Sequence, residues 1–238
     1  MDASTTRERI VVAAAELLAE GGREAVSTRA VSAAAGIQAP TIYRLFGDKQ
    51  GLLDAVAAHG MAEYLHGKTA RAQEPDPVED LRRGWDLHVG FGLAHPALYA
   101  LAFGEPRPGV ESPAERQSAA VLGAMIGRIA EAGRLRVSEE RAAHLVHATG
   151  RGITLTLIGM APERRDPALP EFARESVIAT IATDGPARTA AGAGPVPTAV
   201  TLRAHLPGLT MLTEAERGLL REWLDRVAAE ERAAPAST

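Results

Sequence analysis

Cysteine is absent from this chain of 238 residues, which excludes disulfides, thiolate metal sites and a cysteine nucleophile. Lysine is nearly absent: Lys49 and Lys68 are the only lysines among 26 basic residues, so the cationic chemistry is almost all arginine. Aromatic residues make up 4%. No apolar run reaches the roughly twenty residues that span a bilayer. The N-terminal Met-Asp-Ala-Ser-Thr-Thr-Arg-Glu lacks a basic-then-apolar leader pattern. The expectation is a soluble cytoplasmic protein with no membrane partner. The alternation typical of half-buried strands does not occur. Signatures of catalysis are missing as well. There is no Gly-x-Ser-x-Gly and no His-Glu-x-x-His. The phosphate-loop-like stretch Ala62 to Thr69 has alanine in place of its first glycine and lies in a helical segment with no preceding strand. The net charge of −4 argues, taken alone, against a nucleic-acid partner.

What remains is helical. Alanine, a strong helix former, is about a fifth of the chain. Thr5 with Glu8, Asp76 with Glu79, Ser112 with Glu115 and Thr213 with Glu216 fit capping boxes, in which cap and third helical residue satisfy each other's free N–H groups. Pro77, Pro96 and Pro113 fall where first helical positions are expected, and a missing N–H costs nothing there. These signals predict helices near 6–20 (stopped by Gly21-Gly22), 28–35, 39–46, 49–70, 77–94, 96–103, 113–132, 139–161, 170–183 and 214–232. The stretch 139–161 is apolar almost all round and is expected to be buried, centrally or at a subunit interface. Residues 184–197 read as a flexible linker, and 198–212 are ambiguous between extended and helical. The fold class is all-α.

Residues 28–53 (TRAVSAAAGIQAPTIYRLFGDKQGLL) read as helix, tight turn, helix. Ser27 can cap the first helix. Val31 and Ala34-Ala35 give it a small apolar face. Gly36 falls where the chain must leave the helix with positive φ, and Ile37 plugs the turn into the core. Pro40 sits in the first turn of the second helix, where no hydrogen bond is lost. Ile42, Leu45 and Phe46 point inward, which leaves Gln38, Ala39, Thr41, Tyr43 and Arg44 pointing outward. This is a helix-turn-helix, with its second helix available to a DNA major groove. Thr, Gln and Arg suit base edges, and Arg forks onto guanine. Tyr43 offers a hydroxyl to phosphate. Thr28 and Lys49 lie at helix starts, where side chain and free N–H groups can hold phosphate together. Arg29 is open to either phosphate contact or solvent.

Thr28, Val31, Ala35-Gly36-Ile37, Thr41-Ile42-Tyr43, Phe46, Lys49 and Leu52-Leu53 fall at the matching places of a known pattern. The segment resembles the DNA-binding domain of the TetR/AcrR family of ligand-responsive transcriptional regulators, over roughly residues 6–54. There are departures. Gln38 stands where the family usually has a Ser cap, Pro40 replaces the common Gly, Leu45 the common aromatic and Ser32 the usual Ala. The resemblance implies a three-helix DNA-binding domain over 1–54 and a helical ligand-binding and dimerisation domain over 55–238. It also implies a homodimer on a palindromic double-stranded operator, acting as a repressor and released by a small-molecule effector. No enzyme activity and no cofactor are implied.

The stretch from Trp85 to Gly104 resembles a C-terminal domain subtype of some family members. Trp85, His88, Phe103, Met125, Ile129 and His147 combine apolar bulk with polar tips and are the candidates for an effector pocket. Plain core packing is the alternative for each. His144 and His147 lie one turn apart, a spacing that can hold a metal, but a site would need further ligands, and no metal is assigned. Ile153, Leu157, Ile158, Val177, Ile178 and Ile181 are the expected dimer surface. The last helix is expected to dock on its own domain through Leu219, Trp223 and Val227, or to cross to a partner. The rival class is a helical binding or interaction protein whose DNA-binding head has lost its task. Residues 27–49 carry a net charge of +2 against −6 for the rest, so the global acidity lies outside the helix-turn-helix segment.

Overall fold

The computed structural model describes residues 3–69, 73–105, 107–183, 185 and 194–229. Among these there are eleven α-helices and no strand. They are α1 (Ala3–Ala25), α2 (Thr28–Ala35), α3 (Ala39–Phe46), α4 (Lys49–Thr69), α5 (Pro77–Ala94), α6 (Pro96–Phe103), α7 (Pro113–Glu131), α8 (Glu139–Gly159), α9 (Leu169–Ile181), α10 (Pro195–His205) and α11 (Glu214–Ala229). Local signals set most of these starts. Ser112 and Glu115 form a complete capping box, with bonds of 2.8 and 3.2 Å. Thr213 and Glu216 form another, at 2.8 and 3.3 Å. Asp76 caps α5 through the Val78 and Glu79 N–H groups. Pro77, Pro96 and Pro113 each occupy the first helical position.

Three expectations need correction. Thr5 is no cap, because α1 already starts at Ala3. Gly22, at φ 67°, does break that helix, but one further turn to Ala25 follows the kink. The linker expected over 184–197 ends early: Gly194 caps α10, which starts at Pro195. Two prolines in that first turn cost little, since first-turn N–H groups have no intrahelical acceptor. The rest of that linker, Asp184 and residues 186–193, lies outside the described residues, as do 230–232 of the last helix.

The chain divides into two units: Met1–Ala72 with Leu87–Ala120 and Arg151–Arg165, and Gln73–Asp86 with Val121–Gly150 and Asp166–Thr238. In the first, α1, α2, α3 and α4 close over Ile10, Ala14, Leu18, Val31, Ile42, Leu52 and Val56, and Ala97, Leu98 and Leu101 of α6 pack against that core. Ile42 is fully buried, which is worth about 1.5–3 kcal/mol and fixes which face of α3 turns outward. Ser32 is the misfit. Its hydroxyl oxygen is buried without a hydrogen-bond partner, at a cost of about 1–3 kcal/mol. Ser32→Ala is therefore expected to stabilise the protein by about 1 kcal/mol, seen as a higher urea midpoint at unchanged slope. A lower midpoint refutes this.

The second unit is tied by arginines. Arg82 forks onto Glu175 at 2.9–3.1 Å and holds its carboxyl below the usual range. Arg174 reaches Asp86 at 2.5 Å, Arg128 reaches Asp80 at 2.6 Å, and buried Arg134 bonds Asp76 at 2.7 Å and the Thr183 carbonyl at 2.8 Å. Helices α10 and α11 pack on each other through Ala199, Leu206 and Leu224, with Leu209, Leu220 and Val227 alongside. Val227 docks as expected, whereas Leu219 and Trp223 stay 47% and 51% exposed.

Candidate nucleic-acid interface

The turn between α2 and α3 is built from main-chain requirements. Ser27 Oγ accepts the Ala30 N–H at 3.1 Å and opens α2. Gly36 closes it in the left-handed region, at φ 61° and ψ 42°, where a Cβ would be strained. There the Gly36 N–H donates to the Ala33 carbonyl at 3.3 Å and the Ile37 N–H to the Ser32 carbonyl at 3.0 Å. Gln38 sits at the cap of α3 without a side-chain cap bond, so its amide is not consumed in holding the helix. Ile42 is buried, and Ile37, Leu45 and Phe46 pack partly buried against the core. Ala34, expected to face inward, is exposed; Val31 and Ala35 alone form the buried face of α2.

The opposite face is open. Gln38, Pro40, Tyr43 and Arg44 are exposed, Tyr43 at 52%, while Ala39 and Thr41 are half-buried. Arg29 and Lys49 are exposed and Thr28 is half-buried. Among the described residues, Arg29, Arg44 and Lys49 make no ion pair, in contrast to Arg23, Arg82, Arg107, Arg128, Arg134, Arg174 and Arg203.

Two features escaped the sequence reading. Asp48 accepts the Gly51 N–H at 2.7 Å, so a carboxylate already occupies part of the α4 N-terminus. What that helix start leaves open is chiefly the exposed Lys49 ammonium. Arg7 of α1 lies over the Phe46 ring, 5.0 Å from its centroid, and braces the end of α3. A cation–aromatic pair leaves no motif in sequence when its members are 39 positions apart.

Residues 10–56 match the family model described as bacterial regulatory proteins, tetR family. The match spans α2, α3 and parts of α1 and α4. The chain is 33% identical over 88 residues to the uncharacterized HTH-type transcriptional regulator YvkB of Bacillus subtilis, a match that covers 37% of this chain and 43% of that relative's length. A protein of unknown function from Rhodococcus sp. RHA1 shares the fold with a TM-score of 0.60 at 25% identity, covering 75% of this chain and 96% of its own. A single-substitution variant of TetR from Acinetobacter baumannii, in complex with minocycline, gives a TM-score of 0.57 at 22% identity, covering 76% and 96%.

The six effector candidates are divided between the two units. His88 and Phe103 belong to the first unit, their rings 5.8 Å apart. Sequence reasoning left Tyr99 out of this group, although its hydroxyl lies 2.7 Å from His88 Nε2 and its ring 4.9 Å from Phe103. Burial pushes the Tyr99 phenol up to about 12, so it stays protonated at neutral pH. Trp85, Met125, Ile129 and His147 belong to the second unit. There Trp85 is buried and donates its indole N–H to the Pro170 carbonyl at 3.1 Å, Ile129 is fully buried, and Met125 and His147 are half-buried. A separate cleft of about 440 Å³ in the first unit, lined by Val12, Leu18, Val56, His59, Gly60 and Leu98 among others, contains none of the six.

Within the single chain the residues expected at a dimer surface differ in burial. Leu157, Val177, Ile178 and Ile181 are buried within the chain, while Ile153 and Ile158 are half-buried. Nor is α8 buried all round: Glu140, His144, Ala148, Gly152, Thr156 and Gly159 are exposed. The outer face of α9 is Phe172, 74% exposed, with Ser176, Ala179 and Thr180. The Ser176 and Thr180 hydroxyls donate to their own helix, to the Phe172 and Ser176 carbonyls at 2.8 and 2.9 Å, which makes that face less polar than its residue types suggest.

Proposed function

We propose that this protein is a transcriptional regulator that represses by reading a palindromic operator as a homodimer and lets go when a small molecule binds. The observation that carries the reading is the outer face of the helix-turn-helix, where Arg29, Arg44 and Lys49 are exposed and have no ion-pair partner among the described residues. A cation left unpaired on such a face suits phosphate or a base edge. Thr28, Arg29, Tyr43 and Lys49 would hold the backbone and set register. Gln38, Ala39, Pro40, Thr41 and Arg44 would face the base edges. Two copies place α3 in successive major-groove faces with half-site centres about 34–36 Å apart, or a multiple of that. The outer face of α9 around Phe172 is the surface offered for pairing. For the effector, the His88–Tyr99–Phe103 cluster supplies apolar walls with polar tips, and the minocycline complex of the Acinetobacter protein supports a small organic molecule as the ligand class. The effector acts only through a difference in affinity for the DNA-competent and DNA-incompetent states.

Selection from a pool of random duplexes tests the reading, and an enriched inverted repeat is the expected outcome. Tyr43→Ala and Lys49→Ala should then each weaken binding about tenfold on every duplex, and Lys49→Ala should lower the slope of log affinity against log salt by about one per subunit. No enriched palindrome, or wild-type affinity in both variants, sinks it.

A further inference from the structure

Helix α11 carries two large apolar side chains on its exposed side, while its other side is already used. Leu224 and Ala228 are buried, and Leu220 and Val227 pack toward α10. Leu219 and Trp223, one turn apart and therefore stacked along the helix, remain 47% and 51% exposed. Glu216 and Arg226, both exposed, extend the same stripe at either end. The order Glu216, Leu219, Trp223, Arg226 has spacings of three, four and three, so it reads the same in both directions except that the end charges are opposite. Reversing the stripe puts Arg226 over Glu216 and Trp223 over Leu219. A surface that complements its own reversed copy is what a two-fold contact requires.

We propose that α11 pairs antiparallel with α11 of a second copy of this chain, Trp223 packing on the partner's Leu219 and Arg226 meeting the partner's Glu216 across a two-fold axis. The local ties of these charges do not oppose it. Both side-chain bonds between Glu216 and Thr213 use Oε2, so Oε1 can accept a new donor. Among the described residues Arg226 pairs with Glu222 at 3.1 Å, with both side chains about two-thirds exposed, and such a pair is worth little. Tryptophan in a contact with another protein is a frequent energetic anchor. One helix pair is small against the roughly 1,200 Å² of a stable interface, so this contact adds to another between copies. It does not depend on the DNA-binding reading.

The absence of cysteine makes the test clean. Full-length chains carrying Glu216→Cys and Arg226→Cys are prepared separately, mixed and oxidised with a mild disulfide-forming oxidant. The pairing expects a disulfide-linked species from the mixture and from a Glu216→Cys/Arg226→Cys chain, and little from either single variant alone, because like positions lie about 15 Å apart along the antiparallel pair at 1.5 Å per residue. Adding Trp223→Glu should slow the cross-link at least tenfold while the helical circular dichroism stays unchanged. No cross-link in the mixture, equal cross-linking within each single variant, or indifference to Trp223→Glu overturns the proposal.

Discussion

A chain carrying Arg44→Ala is expected to lose affinity for its selected operator by about 30-fold to about 20,000-fold, and to lose it unevenly across base pairs. Arg44 is exposed on α3, and Ile42, two positions before it, is fully buried, so its guanidinium is displayed by a helix whose orientation is fixed by the core. A bidentate contact from arginine to guanine is worth about 1–3 kcal/mol of discrimination. A dimer makes it twice, giving about 2–6 kcal/mol over the whole operator, with each 1.4 kcal/mol a factor of ten. The fold should not change, because Arg44 makes no ion pair among the described residues. Arg44→Lys should recover little, since an ammonium lacks the fork that meets two acceptors at once. The measurement is a titration of wild type and variant against the operator and against duplexes changed one base pair at a time. Loss of preference at one position in each half-site is the expected pattern. A uniform loss at every duplex would move Arg44 to the phosphate-contacting group with Tyr43 and Lys49.

The helix-turn-helix was legible because its caps and its turn are set by residues within about two turns of one another. Ser27, Gly36 and Ile37 are local instructions for cap, exit and plug, and each makes the bond or contact its type suggests. The same holds for the capping boxes at Ser112 and Thr213. Legibility failed where distance or side-chain conformation decides. Whether Trp85 and Ile129 belong to a pocket or to the core depends on segments far apart in the chain, and apolar bulk reads the same in both. Ser176 and Thr180 read as polar, yet their hydroxyls turn back onto the carbonyls of α9, a choice that sequence does not encode for the eye. The residues expected at a dimer surface, Leu157 and Ile178 among them, were the most apolar available, and for that reason the chain buries them itself. At Pro195-Val196-Pro197 composition misled in the other direction, because two prolines signal a linker unless both fall in a first helical turn, as they do here.

Gly92 is the position where one methyl group should cost most around the His88–Tyr99–Phe103 cluster. It lies in α5, and a Cβ added there would sit 2.2 Å from Thr154 Cγ2 and 2.9 Å from Tyr99 Cδ2. Neither neighbour can step aside easily. Both are fully buried, Thr154 is β-branched and stiff, and Tyr99 is pinned by its hydroxyl, 2.7 Å from His88 Nε2. Alanine is worth about 1 kcal/mol over glycine in a helix interior, and the overpacking cost is about 1–3 kcal/mol or more. With two contacts under 3 Å the collision wins. Gly92→Ala is expected to lower the melting temperature by several degrees, at about 2–4 °C per kcal/mol for a chain of this size. It should also disturb the His88–Tyr99 bond, and with it the response to any effector held there, while Tyr43, Arg44 and Lys49 keep their places in the head. Thr154→Ser supplies the decisive control. It deletes the Cγ2 that the new methyl meets and keeps the hydroxyl that serves Tyr99, so the Gly92→Ala/Thr154→Ser chain should recover most of the loss. Strong non-additivity in that double-mutant cycle, about 1 kcal/mol or more, is the signature of two groups competing for one space. Simple additivity would mean that Gly92→Ala acts through something other than this contact.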